Sequence, residues 1–262
     1  MAWALVVGSL RTDLPIPVYP IVALFSAIWA IYLFDRLYDT KGLVIDKTTP
    51  QRHRFTAKFR TLLIGLLFVA VGVAAGSFPF LPSAVVWGGS VIAAATAAYY
   101  IVFRFFRRLL PRLATGPWKE LTIAACFTAG IFLSVPPLRA TANGMLLAAA
   151  LTSLFLANCL RISLAEADYD RDHDPAGFFS SSRHRSSKAV ILLPLFALLI
   201  AIYLILQNDV SPVGISVLST SVICLLINRS QKIPRHLVQA FADLSLLIPP
   251  LVVLGIQFIL TR

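Results

Sequence analysis

Long apolar runs are the feature that most limits what this chain can fold into. The 262-residue sequence is 58% hydrophobic and only 13% charged, and its mean hydropathy is +0.81. Soluble domains typically carry about 25% charged residues, whereas a run of about 20 apolar residues is long enough to cross a bilayer as a helix. Because backbone polar groups in lipid must be satisfied within the segment, these runs predict an all-α, polytopic membrane protein.

The apolar runs predict a transmembrane helical bundle of about nine segments in a single domain, residues 1–262. The first segment, 1–10, is too short to cross a bilayer. It fits an incomplete first helix, a re-entrant piece or the remainder left by a misplaced start codon. Eight longer runs follow, at about 14–34, 61–78, 84–103, 120–135, 145–164, 189–206, 213–227 and 237–260. We expect two similar half-bundles, roughly 1–138 and 139–262, around a central cavity.

Lysine and arginine residues fall almost entirely in alternate connections between these segments. Of the 23, only Arg11, Arg139 and Arg262 lie outside the four basic connections. Those connections are 36–60, 104–119, 161–188 and 229–236. By the positive-inside rule, this partition puts the N-terminus and the basic connections in the cytoplasm and the C-terminus outside. We therefore expect a multi-pass protein of a bacterial inner membrane, whose net charge of +11 reflects its orientation in lipid and not a nucleic-acid partner.

Carboxylates are concentrated in one stretch, 158–174, which begins at the end of an apolar run. On a helix, Glu166, Asp170 and Asp174 stand four residues apart and share a face. Like charges at that spacing repel one another, so they are stable when a cation lies among them or when water screens them. The stretch therefore fits either a Mg²⁺ site of oxygen ligands or a solvated charged segment at the membrane surface. Pro175 disfavours helical geometry at Asp174, which lies at the edge of the set.

A second acidic pair, Asp35 and Asp39, ends the second segment, half a chain earlier. Its spacing also stacks two carboxylates on one helical face, and the topology puts it at the same membrane face as Glu166 and Asp170. Two facing pairs suit Mg²⁺ ions that bind a diphosphate and neutralise the charge growing on it as a leaving group. This arrangement predicts ionisation of an allylic diphosphate and transfer of its prenyl chain to an acceptor.

Cationic and hydroxyl side chains lie where such a diphosphate would need them. A diphosphate carries more negative charge than the metals alone balance, so Arg and Lys are the expected companions. The candidates are Arg52, Arg54, Lys119, Arg183 and Arg185, with the hydroxyls of Tyr99 and Tyr100. The apolar interior of the bundle would then hold the hydrocarbon tail.

Two polar residues lie inside apolar segments. Asn158 precedes Glu166 by two helical turns on the same face, and it either lines the cavity or bonds a neighbouring helix. Asp243 is an ionisable group within the last segment, a costly position unless the group is paired. It fits either a base on the acceptor side of the site or a structural partner to a facing polar group.

The acidic motifs resemble those of the UbiA-type intramembrane prenyltransferases, which carry two aspartate-rich motifs after the second and sixth of nine helices. Here Asp35-x-x-x-Asp39 follows the second segment and Glu166-x-x-x-Asp170 follows the sixth, so the resemblance covers the whole topology. The segment 50–54 is similar to the family's Pro/Arg-rich loop after the first motif. Lys119 is similar to its lysine at the start of the fifth helix.

The resemblance implies roles for the site residues. Mg²⁺ and diphosphate would be held by Asp35, Asp39, Glu166 and Asp170, and the helical spacing adds Asp174 to the metal set. Phosphate oxygens would contact Lys119, Arg52 and Arg54. Asn158 and Tyr100 are added to the substrate contacts by their positions in the sequence and not by the resemblance. The chain departs from the family pattern at Ile31, where Asn is usual, and at Glu166, where Asp is usual. A diverged member of the family is the description that fits.

The expected function is Mg²⁺-dependent transfer of a polyprenyl group from its diphosphate to a lipophilic acceptor within the membrane. A non-catalytic relative that binds lipid is one alternative, which Ile31 keeps open. A cation transporter using the same carboxylates is another, and it predicts carboxylates at mid-membrane with broken helices pointing at them. A CDP-alcohol phosphotransferase would carry a DGxxAR element, which this sequence lacks.

Overall fold

Helices make up all the regular secondary structure in the part of the chain that the computed structural model describes. That part comprises residues 2–8, 18–41, 45, 49–109, 117–134, 141–173, 178–207, 211–230 and 233–260. Its elements are α1 (Ala2–Gly8), α2 (Val18–Asp39), α3 (Gln51–Lys58), α4 (Arg60–Ser77), a 3₁₀ turn (Phe78–Phe80), α5 (Ser83–Leu109), α6 (Trp118–Ser134), α7 (Ala142–His173), α8 (Phe178–Leu206), α9 (Ser211–Arg229) and α10 (Arg235–Leu260). The prediction of an all-α protein is confirmed.

Several of these helices are long and apolar enough to cross a membrane. Six such spans are found in the described residues: Val18–Tyr38, Arg60–Phe80, Ala142–Ala165, Ser187–Leu206, Pro212–Arg229 and Leu237–Ile259. A shorter apolar helix covers Ser83–Tyr99. The chain is therefore an integral membrane protein, as its hydropathy predicts. The count of nine segments and the division into two similar halves stay predictions.

Antiparallel packing brings alternate helix ends together. Near one end of the pair, α2 packs against α6 where Leu24 meets Gly130. A Cβ atom at Gly130 would overlap the Leu24 side chain, so glycine permits this close approach. Near the other end, α2 meets α6 through Asp35 and Lys119. Helix α7 packs against α6, α8, α9 and α10, and it lies at the centre of the second part of the bundle.

The short first helix lies in the middle of the bundle. Helix α1 packs against α6, α9 and α10, and its side chains at Ala4, Val6 and Val7 are fully buried. Val6 and Val7 belong to the main hydrophobic cluster, together with residues of α6, α7, α8 and α9. The side chains of α1 thus fill space inside the bundle. The central cavity expected between two half-bundles stays a prediction.

Helix α1 also satisfies a backbone carbonyl that a proline leaves free. Pro250 lacks an N–H group, so the carbonyl of Leu246, four residues earlier in α10, loses its helical donor. The indole Nε1–H of Trp3 donates to that oxygen at 2.9 Å. Because a bilayer offers no water to an orphan carbonyl, this bond offsets the break that Pro250 makes in the helix.

We expect Trp3→Phe to lower the free energy of unfolding by about 1–3 kcal/mol, because the Leu246 carbonyl loses its donor while an aromatic ring still fills most of the buried site. The measurement is thermal unfolding of the purified protein in detergent. Trp87→Phe is the matched control, since Trp87 is 74% exposed. Pro250→Ala returns a backbone N–H and should remove most of the cost of Trp3→Phe. If Trp3→Phe lowers the free energy of unfolding equally in the Pro250→Ala protein and in the protein with Pro250, this account is contradicted.

Candidate functional site

Charged and hydroxyl side chains of α2, α6 and α7 meet at one end of the bundle. The Asp35 carboxylate, on the last turns of α2, lies 3.5 Å from the Lys119 ammonium, on the first turn of α6. The neighbouring Glu120 accepts a hydrogen bond from the Ser163 hydroxyl of α7 at 2.9 Å. We call these four residues, Asp35, Lys119, Glu120 and Ser163, the polar end. Through the first turn of α6, the polar end connects α2 with α7, two helices that are distant in sequence.

The start of α6 explains why these groups pair. The carbonyl of Pro117 accepts the backbone N–H of Leu121 at 2.8 Å and so opens the helix. A helix N-terminus carries partial positive charge, which favours Glu120 there and disfavours Lys119. The Asp35 carboxylate offsets that unfavourable position of Lys119. The pair is partly exposed, with 21% of the Asp35 side chain and 39% of the Lys119 side chain accessible, so both groups can reach a ligand.

A second polar pair lies deeper in the bundle. The Nδ2 group of Asn158, on α7, donates to the Asp243 carboxylate of α10 at 3.1 Å. Both residues stand roughly two helical turns inside the ends of their spans, Ala142–Ala165 and Leu237–Ile259. This hydrogen bond is the one expected if Asn158 bonds a neighbouring helix and if Asp243 faces a polar partner. The roles of both residues in a site stay predictions.

The two layers of polar groups form one electrostatic cluster around Cys159 on α7. The charges of Asp35, Lys119, Glu120 and Asp243 all act on the Cys159 thiol. Residues from α2, α6, α7 and α10 therefore surround the same point of the bundle.

A small cleft adjoins this cluster between α7, α9 and α10. It is lined by Ala157, Asn158, Arg161, Cys224, Ile227, Asn228, Ala242 and Ser245. The Oδ1 atom of Asn158 and the Nε atom of Arg161 are buried, and neither has a hydrogen-bond partner among the described residues. Within the described part of the chain, the cleft thus has one buried acceptor and one buried donor without a partner.

The remaining predicted site residues are known only in part. Arg54 has an exposed side chain on α3, the helix that begins just after Pro50. Asp39, Arg52, Tyr100, Glu166 and Asp170 lie on helices, and their side chains are outside the described residues, as is the whole of Asp174. Helix α7 runs without a break to His173, so its backbone keeps Glu166 and Asp170 one turn apart on one face.

Three residues of this region were not predicted from the sequence to belong to the site. They are Glu120, which binds Ser163, Arg36, which acts electrostatically on Asp243, and Arg161, which lines the cleft. Each is a charged group near the end of an apolar helix, and that position was the available signal. Helical periodicity gives the face of a residue on its own helix, but it does not identify the neighbouring helix.

The donor set at the polar end consists of carboxylate oxygens with a lysine beside them. Oxygen ligands of this kind suit Mg²⁺, which keeps several waters and bridges to phosphate. Among the side chains that the structure describes, no group of three or more His, Cys, Asp or Glu residues is close enough to hold a metal ion. Three of the four predicted principal ligands, Asp39, Glu166 and Asp170, have side chains outside that set. No protein-family model, curated protein or solved structure matches this chain.

Proposed function

We propose that the protein transfers a polyprenyl group from its diphosphate to a lipophilic acceptor within the membrane, as UbiA-type prenyltransferases do. The observation that carries the proposal is the Asp35–Lys119 pair at the polar end, joined through Glu120 and Ser163 to α7. This pair puts a predicted metal ligand and a predicted phosphate contact side by side. The helix α7 that continues from Ser163 carries Glu166 and Asp170.

The residues divide into two roles in this proposal. Asp35, Asp39, Glu166 and Asp170 would hold Mg²⁺, which supplies charge neutralisation for the departing diphosphate. Lys119 would exchange its contact with Asp35 for a contact with a phosphate oxygen, since an ammonium group bonds either as a point charge. Its partial exposure leaves it room to do so. The polar end would face the cytoplasm, the side assigned to the basic connections, and the prenyl chain would extend from it along the apolar helices.

The cation-transporter alternative has less support. It requires carboxylates at mid-membrane and backbone carbonyls freed by broken helices to bind the cation. The carboxylates of Asp35 and Glu120 lie near helix ends. The Leu246 carbonyl, freed by a proline, already accepts a hydrogen bond from Trp3. The carboxylates of Asp35 and Glu120 are therefore better placed for a ligand that approaches from the membrane surface.

The direct test is turnover of labelled geranylgeranyl diphosphate by the purified protein in detergent, with Mg²⁺ or with excess EDTA. We expect release of pyrophosphate that requires Mg²⁺ and falls in both Asp35→Ala and Asp170→Ala. If both variants turn over the diphosphate at the same rate as the unmodified protein, the proposed site is ruled out. Failure of the unmodified protein to consume or bind the diphosphate would favour the non-catalytic lipid-binding alternative.

A further inference from the structure

The Asn158–Asp243 pair lies about one helical turn deeper in the membrane than the Asp35–Lys119 pair. Asp35 stands about one turn from the end of the span Val18–Tyr38, whereas Asp243 stands about two turns inside the span Leu237–Ile259. One further turn along α10, the Leu246 carbonyl bonds Trp3 of the apolar core. The pair therefore separates the charged polar end from the hydrophobic interior.

The Asp243 carboxylate lies between helices and still has accessible surface. Asn158 of α7 donates to one of its oxygens, and the positive charge of Arg36 acts on it from α2. No Lys or Arg that the structure describes forms a salt bridge with Asp243. The surface of Asp243 is nevertheless accessible, and the residue counts as exposed. An ionised carboxylate can accept about four hydrogen bonds, so this one keeps acceptor capacity for a ligand.

This layer is where the acceptor of a prenyl transfer would meet the donor. If the diphosphate is held at the polar end, the carbon that bears it points inward, toward the level of Asn158 and Asp243. Two hydrogen-bond acceptors lie at that level, beside the Nε donor of Arg161: the Asp243 carboxylate and the buried Oδ1 atom of Asn158, which has no partner among the described residues. Acceptors of hydrogen bonds recognise an O–H group, and an apolar nucleophile would gain nothing from them.

We propose that Asp243 is the base that takes the proton from a hydroxyl-bearing acceptor, an alcohol or a phenol, an inference that rests on the proposed function. The bond between the prenyl carbon and the diphosphate oxygen breaks, and its electron pair leaves with the diphosphate. The acceptor oxygen forms a bond to the same carbon, and its proton moves to the Asp243 carboxylate. The products are a prenyl ether and diphosphate. The hydrogen bond from Asn158 holds the carboxylate in place, which makes Asn158 a positioning residue.

The test uses two probes that differ in one hydroxyl group, para-octylphenol and its methyl ether, para-octylanisole. Purified full-length protein is given labelled geranylgeranyl diphosphate and Mg²⁺, and the labelled ether is quantified across a range of pH. We expect ether formation with the phenol only. Asp243→Asn should lower the rate about 100-fold, as loss of a general base does, and should remove the rise of the rate with pH. The variant keeps an oxygen that accepts from Asn158, so its fold should be retained, and Asp243→Glu should restore part of the rate.

The affinity for the diphosphate separates failure of this inference from failure of the proposed function. Dissociation constants for geranylgeranyl diphosphate are measured with Mg²⁺ for the unmodified protein and for Asp243→Asn. Mg²⁺-dependent binding that changes less than about threefold in the variant, together with lost ether formation, supports the base role. Binding without ether formation from the phenol, or equal ether formation in Asp243→Asn, overturns the inference alone. No Mg²⁺-dependent binding in the unmodified protein overturns the proposed function as well.

Discussion

Asp35→Asn is expected to lower Mg²⁺-dependent turnover of a prenyl diphosphate by about 100-fold or more. The substitution keeps the shape of the side chain and removes the charge that would bind the metal at the polar end. Loss of one preorganised electrostatic contact to a developing charge typically costs about 100- to 1000-fold in rate. A factor of 100 corresponds to about 2.7 kcal/mol of transition-state stabilisation. The activation by Mg²⁺ should also shift to higher concentration.

Stability measurements distinguish this catalytic effect from a structural one. The Asp35–Lys119 pair is partly exposed, and pairs of that kind contribute about 0–1 kcal/mol to stability. We therefore expect the melting temperature of Asp35→Asn to stay close to that of the unmodified protein. Glu120→Gln is a control for stability alone, and its melting temperature should also stay unchanged because glutamine can still accept the Ser163 hydrogen bond. A large drop in melting temperature with an unchanged rate per folded molecule would show that Asp35 has only a structural role.

Asn228→Leu is expected to destabilise the protein by about 1–3 kcal/mol, the usual cost of an unsatisfied buried acceptor. Pro194 lies within α8 and lacks an N–H, so the Val190 carbonyl four residues earlier has no helical donor. The Asn228 side chain of α9 donates to that oxygen at 2.7 Å. For a protein of this size the expected loss amounts to a fall in melting temperature on the order of 3–10 °C.

A double-mutant cycle tests the reason for this loss. Pro194→Ala returns a backbone N–H to α8, so the Val190 carbonyl regains a donor and Asn228 becomes dispensable. In that background, we expect Asn228→Leu to cost at least about 1 kcal/mol less than it does alone. The same cost in both backgrounds would mean that Asn228 stabilises the protein by packing and not through the freed carbonyl. Thermal unfolding in one detergent, for all four proteins, gives the required values.

The course of the membrane helices followed from hydropathy, but their ends did not. The run predicted at 145–164 corresponds to α7, which continues to His173, and the run at 189–206 corresponds to α8, which begins at Phe178. Hydropathy reports the part of a helix that lies in hydrocarbon. A helix continues into the aqueous phase as long as its backbone bonds are satisfied, and the acidic stretch after Leu164 does so.

The contacts within the site could not be predicted from the sequence of any single helix. Periodicity placed Asn158 on the face of Glu166 and showed that Asp243 needed a partner, but it could not show that these two residues bond each other. The same holds for Asn228 and the Val190 carbonyl, which lie on different helices. The positions of Pro194 and Pro250 identify the carbonyls that need a donor. Only the packing of the bundle decides which side chain supplies it.

The most direct test of the central claim is the affinity of the purified protein for geranylgeranyl diphosphate, measured by calorimetry in detergent with Mg²⁺ and with excess EDTA. The account predicts binding that needs Mg²⁺ and weakens at least about tenfold in Asp35→Asn and in Asp170→Asn, since each variant removes a metal ligand. A chain-length-matched prenyl alcohol, which lacks the diphosphate, should show no Mg²⁺ dependence. Binding of the diphosphate that is equal with Mg²⁺ and EDTA, or equal in the two variants and the unmodified protein, would contradict a metal–diphosphate site at the polar end.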